Sequence, residues 1–221
     1  MGESPCYKPN NLALAVACCL LSPGCRYSTK NTAPIRIACV GDSTTMAMGE
    51  SGEDYPAILA KKLGKNYNIA NFGASGTAIN KLATAPYDRS SAFGQSLSFA
   101  PDLVILMLGT NDSKATNWAH KAEFQADFKD MVRRYQNSVA RPKVYLVLPC
   151  PVFDLGSDIK GPIIDLEIIP AIRQVARESG ATILDVHSAV MGHPEYFRDG
   201  IHPNSLGTHA IASEIYRGLR R

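Results

Sequence analysis

Ile35-Arg36-Ile37-Ala38-Cys39-Val40-Gly41-Asp42-Ser43 is the stretch on which the reading of this chain turns. Its apolar part, Ile35–Val40, is short and rich in Ile and Val, which marks a buried strand rather than a helix. The Gly-Asp-Ser that closes it is turn chemistry. Similar apolar runs recur at Tyr67–Ala70, Leu103–Leu108, Val144–Leu148 and Thr182–Val186. Helical patterns fill the intervals. One starts near Asp54, with Pro56 in its first turn and Gly64 past its end. Phe124, Phe128, Met131, Val132, Tyr135 and Val139 form a stripe of helical period. A third helix surrounds Ile172, Val175 and Ala176, stops at Gly180 and has Pro170 near its start, since an interior proline would kink it. The last runs from about Leu206 to Leu219. Strands alternating with helices predict a parallel sheet covered on both faces. The expected fold is one α/β domain over residues 35–221, a three-layer α/β/α sandwich with a five-stranded parallel sheet.

The chain has 221 residues, enough for one domain with a sizeable core and a short extra segment. Hydrophobic residues at 45% and charged residues at 19% exclude a disordered polar chain. The net charge of +3 is small and scattered, densest at Arg133-Arg134 and in the Arg217, Arg220, Arg221 tail, so nucleic acid is not an expected partner. Residues 1–34 differ in kind and read as a leader. Lys8 precedes an apolar run, Leu12 to Leu21, followed by Ser22-Pro23-Gly24-Cys25, the layout of a secretory signal. The run is too short for a transmembrane span, which needs about twenty apolar residues. Cys18, Cys19 and Cys25 leave a lipid anchor open, although the residues before each fit an acylation signal poorly. Gly2 lacks the Ser or Thr at position six that myristoylation requires, Cys6 standing there instead. The expected location is extracytoplasmic. Only Cys39 and Cys150 remain for the domain; both read as small core hydrophobes, and no spacing suggests zinc or a disulfide framework.

Open α/β sheets bind ligands beyond the carboxyl ends of their strands. Ser43 follows the first strand, Asn71-Phe72-Gly73 the second, and Gly109-Thr110-Asn111-Asp112 the third, so three polar turns share one sheet edge. Asp199-Gly200-Ile201-His202-Pro203, just before the last helix, adds a carboxylate and an imidazole. A serine hydroxyl is a weak nucleophile until an adjacent base takes its proton. Serine, aspartate and histidine in that chain order are one of the arrangements used for serine hydrolysis. Singly, each residue has a plainer reading: Ser43 as a cap, Asn111 as a helix start, Asp199 as a turn former. Their joint occurrence favours catalysis.

These four blocks resemble those of the SGNH (GDSL-type) hydrolase family, over about residues 35–219. The resemblance implies a flavodoxin-like sheet order, 2-1-3-4-5, that sets Gly73 and Asn111 on either side of Ser43. It implies Ser43 as nucleophile, His202 as base and Asp199 as the residue orienting that base. It also implies an oxyanion hole made by the backbone N–H groups of Ser43 and Gly73 and the side-chain amide of Asn111. Thr44 is a departure, since many members carry an aliphatic residue there. Neither a metal nor a cofactor is implied. The expected substrate is a short acyl ester, above all an acetyl group on a carbohydrate. The Asn111-Asp112-Ser113…Trp118 stretch and Pro149-Cys150-Pro151 are similar to carbohydrate O-acetylesterases of polysaccharide-degrading bacteria. The alternatives are a lysophospholipase or thioesterase of the same family, or a catalytically silent carbohydrate-binding protein. No oligomeric state is indicated.

Around this centre stand lesser candidates. Trp118, the only tryptophan, either stacks on a sugar ring or anchors the following helix. Tyr87, Arg89 and the Phe153–Lys160 loop are candidate walls, and Asp42 braces its own turn. His120, His187 and His193 read as surface or loop residues. Asn111-Asp112-Ser113 fits the N-glycosylation pattern, but a glycan there would fill the oxyanion hole, so the two roles exclude each other. Thr44–Asp54 and Asn80–Ser98 lack a sustained apolar stripe, which argues against a long acyl chain.

Overall fold

A computed structural model of the chain describes residues 33–46 and 54–221. The secretory-signal, lipid-anchor and myristoylation readings fall outside the described residues, as does most of the Thr44–Asp54 segment. Strands β1 (Ile35–Gly41), β2 (Tyr67–Gly73), β3 (Leu103–Met107), β4 (Lys143–Val147) and β5 (Thr182–Leu184) make one parallel sheet in the order β2-β1-β3-β4-β5. Side chains alternate across it, as a period of two requires. Ala38, Val40, Val104, Leu106, Val144 and Leu146 face one core. Ile37, Cys39, Ile105, Met107, Tyr145 and Val147 face the other. The Ser91–Ser98, Lys121–Gln136 and Ile169–Ser179 helices cover the first core, and the Tyr55–Leu63, Val186–Val190 and Ser205–Leu219 helices the second. No helix of the described residues is long and apolar enough to cross a membrane.

Helix ends follow their local chemistry. Asp54 caps the Tyr55–Leu63 helix, its Oδ1 accepting from Ala57 N–H at 2.6 Å, and Gly64 ends it at φ 79°. Two boundaries differ from expectation. Val139 lies past the end of the Lys121–Gln136 helix and is fully exposed, because its stripe position comes after the chain has turned at Asn137. The last strand stops at Leu184 because Asp185 caps a new helix through Ser188 N–H, at 3.0 Å, and Val186 begins that helix. Pro170 stands in the first turn of the Ile169–Ser179 helix, as expected, but that helix continues an earlier helical stretch. The chain is helical from Gly161, and residues Ile164–Ile168 form a π turn just before the proline. A proline inside a helix has no N–H to donate and clashes with the preceding turn; a widened turn next to it accommodates both effects.

Candidate active site

At the carboxyl end of β1 the chain makes a single helical turn, Ser43–Met46, with Thr45 and Met46 N–H both donating to the Asp42 carbonyl. Two glycines make room for it. A Cβ on Gly41 would sit 2.0 Å from Thr45 Oγ1, and one on Gly73 would sit 2.2 Å from Met46 N. Asp42 Oδ1 accepts from Thr44 N–H at 3.0 Å, so Asp42 braces this turn as expected. The carboxyl is 1% exposed and its Oδ2 has no hydrogen-bond partner among the described residues; burial raises its pKa, against the hydrogen bonds it accepts.

Ser43 Oγ lies 3.0 Å from His202 Nε2, and His202 Nδ1 lies 2.7 Å from Asp199 Oδ2. Three side chains that sequence reasoning selected are thus one hydrogen-bonded chain. With Nδ1–H donating its hydrogen bond to the Asp199 carboxylate, Nε2 is free to accept the serine proton. Asp199 Oδ1 also accepts from the N–H groups of Ile201, at 3.0 Å, and His202, at 2.6 Å. Burial pushes this carboxyl up, but those N–H donors and the His202 ring outweigh it and hold the pKa down at about 2. The loop is itself pinned: Phe153 N–H donates to the Gly200 carbonyl at 2.7 Å, and the Phe153 ring packs on Phe197 at 5.3 Å. Gly200 has φ 76°, and a Cβ there would meet Asp154 N at 2.6 Å. The Phe153–Lys160 loop therefore does border the acid-base loop.

Asn111 opens a 3₁₀ turn, is 5% exposed, and donates from Nδ2 to the Thr77 carbonyl at 3.1 Å. An amide nitrogen carries two hydrogens, so one stays available. Gly73 requires a correction. Ala74 N–H donates inward to the β1 carbonyl of Gly41, at 2.8 Å, so the preceding N–H points to the open edge of β2. There Gly73 N–H donates to Asn71 Oδ1 at 2.9 Å. Gly73 serves the site by admitting the Ser43–Met46 turn. Gly76, in the turn that follows, has φ 76°, open space where a Cβ would be, and no hydrogen bond to its N–H among the described residues. The Ser75-Gly76 pair was the signal for it, a turn dipeptide passed over for the nearer glycine.

Other candidates move inward. Tyr87 is fully buried, its hydroxyl donating to the Phe72 carbonyl at 2.6 Å, so it is a core residue and forms no wall; Arg89 is exposed. His187, expected at the surface, is 5% exposed, with Nδ1 2.8 Å from the Pro149 carbonyl. Cys39 and Cys150 are buried free thiols, and burial pushes Cys150 up to about 12. Trp118 packs edge-on against Phe124 at 5.3 Å, anchoring the following helix. It also lines an open cavity of about 270 Å³ with Lys121, Gln125 and Glu167.

An acetylxylan esterase of Xylanibacter ruminicola is 33% identical over 207 residues, covering 84% of this chain and 43% of that protein. The chain thus spans less than half the length of that curated relative. The solved aryl esterase of M. smegmatis superposes with a TM-score of 0.69 at 23% identity, covering 84% of this chain and 98% of the other. A carbohydrate acetylesterase of Sinorhizobium meliloti superposes at 0.68 with 19% identity, over 84% and 98%. At those identities the two structures share the fold. Residues 39–210, from the middle of β1 into the last helix, match the GDSL-like lipase/acylhydrolase family, a family of carboxylic ester hydrolases, and to that family the chain belongs.

Proposed function

We propose that this protein is an extracytoplasmic serine esterase that removes short acyl groups, chiefly acetyl, from carbohydrates. The single observation carrying the chemistry is the continuous Ser43–His202–Asp199 hydrogen-bond chain, at 3.0 and 2.7 Å. His202 takes the Ser43 proton as the oxygen attacks the ester carbonyl, and Asp199 holds the imidazole in the required tautomer and offsets its charge. The same imidazolium returns the proton to the departing alcohol, leaving an acyl-serine. Water then attacks that ester with His202 again as base, and Ser43 recovers its proton. Negative charge on the carbonyl oxygen in each tetrahedral intermediate calls for preorganised donors. Ser43 N–H, the second Asn111 amide hydrogen and Gly76 N–H are assigned to it, Gly76 taking the place first given to Gly73.

The carbohydrate part of the reading is supported by the acetylxylan esterase relative and by the polar composition of Asn80–Ser98. The test uses purified protein and one leaving group carrying acetyl or dodecanoyl. Acetyl should be preferred in kcat/KM, because each unburied methylene forgoes about 0.8 kcal/mol that a lipid groove would supply. Ser43→Ala should abolish turnover and labelling by a serine-directed phosphonate, with about 10⁶ lost in kcat. Retention of more than a few percent of activity would remove Ser43 as nucleophile. A dodecanoyl ester that matches acetate would put the lysophospholipase alternative first.

A further inference from the structure

Asp112 follows the proposed oxyanion donor Asn111 but plays no part in the chemistry just described. It is fully buried, and its carboxylate is bidentate on two successive backbone amides, with Oδ2 accepting from Ile79 N–H at 3.0 Å and Oδ1 from Asn80 N–H at 2.9 Å. A surface turn would not need a buried carboxylate to hold it, because burying a charge is costly unless it is well bonded. What the clamp holds is the stretch whose Thr77 carbonyl receives Asn111 Nδ2, at 3.1 Å. Neighbouring side chains thus grip one loop in opposite senses, Asp112 accepting from it and Asn111 donating to it. The loop's other end is fixed where Ala74 N–H meets the Gly41 carbonyl at 2.8 Å. Between these two anchors lie Gly76 and Thr77.

We infer that Asp112 is a positioning residue of the oxyanion hole, fixing through the Thr77–Asn80 loop the direction of the Asn111 amide and the place of the Gly76 amide. The inference rests on the esterase reading. A hydrogen bond to Thr77 fixes the plane of the Asn111 amide, and so the direction of its second N–H. A shift of the Thr77 carbonyl rotates that N–H away from the developing charge while leaving ground-state binding alone. The signature is therefore a fall in kcat with little change in KM, since the oxyanion exists only in the transition state.

Asp112→Asn keeps the size of the side chain but turns an NH₂ against one of the two backbone donors. It should lower kcat about tenfold to a hundredfold, short of the roughly 10²–10³ for outright loss of a donor, with KM within about twofold. A double-mutant cycle with Asn111→Ala, on an acetyl ester and with folding checked by circular dichroism, separates positioning from scaffolding. If Asp112 acts through Asn111, Asp112→Asn costs little once Asn111 is gone, and the two losses do not add. Full additivity, or unchanged kcat in folded Asp112→Asn, overturns the inference. Asp112→Glu, which keeps the charge but displaces it, is the second variant and should show the same split. Failure of both variants to fold would assign Asp112 to the general scaffold and overturn it equally. Full activity in Asn111→Ala alone would instead sink the oxyanion reading itself, a distinguishable result.

Discussion

Ser43 is half-buried and its hydroxyl bonds His202, while the fold around it is held by Asp42 and two glycines. That division of labour makes the site separable from the scaffold. At the same scale, Asp199 stays ionised down to about pH 2, well below the range in which esterases are assayed. The mechanism thus needs a charged Asp199 and a neutral His202, free to accept the serine proton. Asp199→Asn should cut kcat by up to about 10⁴ and leave KM nearly alone, because an amide cannot hold the same tautomer or offset the imidazolium charge. Kinetics from pH 4 to 8 check both points. A rate independent of pH across that range, or an Asp199→Asn variant as fast as the parent, would take these residues out of the mechanism. The serine, histidine and aspartate were legible because their types are few and their blocks ordered. Gly76 was marked only by the weak Ser75-Gly76 turn signal, since glycine carries no chemistry of its own and the direction of its backbone N–H is what sets it apart from Gly73.

Elements meet where β1 and β2 end, and Gly73 is the point of contact. A Cβ there would fall 2.2 Å from Met46 N and 2.5 Å from Met46 Cα, backbone atoms that cannot swing aside. Gly73→Ala should displace the Ser43–Met46 turn, lower kcat at least tenfold and cost about 1–3 kcal/mol in urea unfolding, the range for overpacking. The variant keeps its backbone N–H, so an activity loss reports displacement rather than a missing donor. Wild-type activity and stability would show that the two strand ends have slack. The strands and their burial between two layers were readable at this scale because buried parallel strands are continuous apolar runs, whereas the sheet order followed from the family resemblance. The ends were less readable. Asp185 could extend a strand or cap a helix, and only its bond to Ser188 N–H decides between them. The π turn before Pro170 was hidden for a similar reason, since a pattern of apolar spacings does not record how a helix adapts to a missing donor.

Over the whole molecule, two buried or bonded carboxylates pull stability in opposite directions with pH. Asp199, held at about 2, stabilises the native state above the ordinary carboxylate range, and that contribution is lost as pH falls toward 2. Asp112 is raised from 3.8 to about 6, by burial first and against its two backbone bonds, so the native state keeps a proton that the unfolded chain releases. Its contribution is complete below about pH 4 and declines as pH rises through 6, on the order of 3 kcal/mol. The urea midpoint should therefore drop between pH 4.5 and 7.5, and the drop should shrink in Asp112→Asn; equal slopes in both proteins would contradict the assignment. Chain order also sets the timing of activity. Ser43 and His202 stand 159 positions apart, with strands β2 to β5 between them in the chain. At about 5–20 residues per second, synthesis delivers the base roughly 10–30 s after the nucleophile. A nascent chain can thus pair β1 with β2 and β3 while remaining inert toward esters. Turnover on refolding should likewise lag the return of secondary structure, since it waits on a loop closure that spans most of the domain.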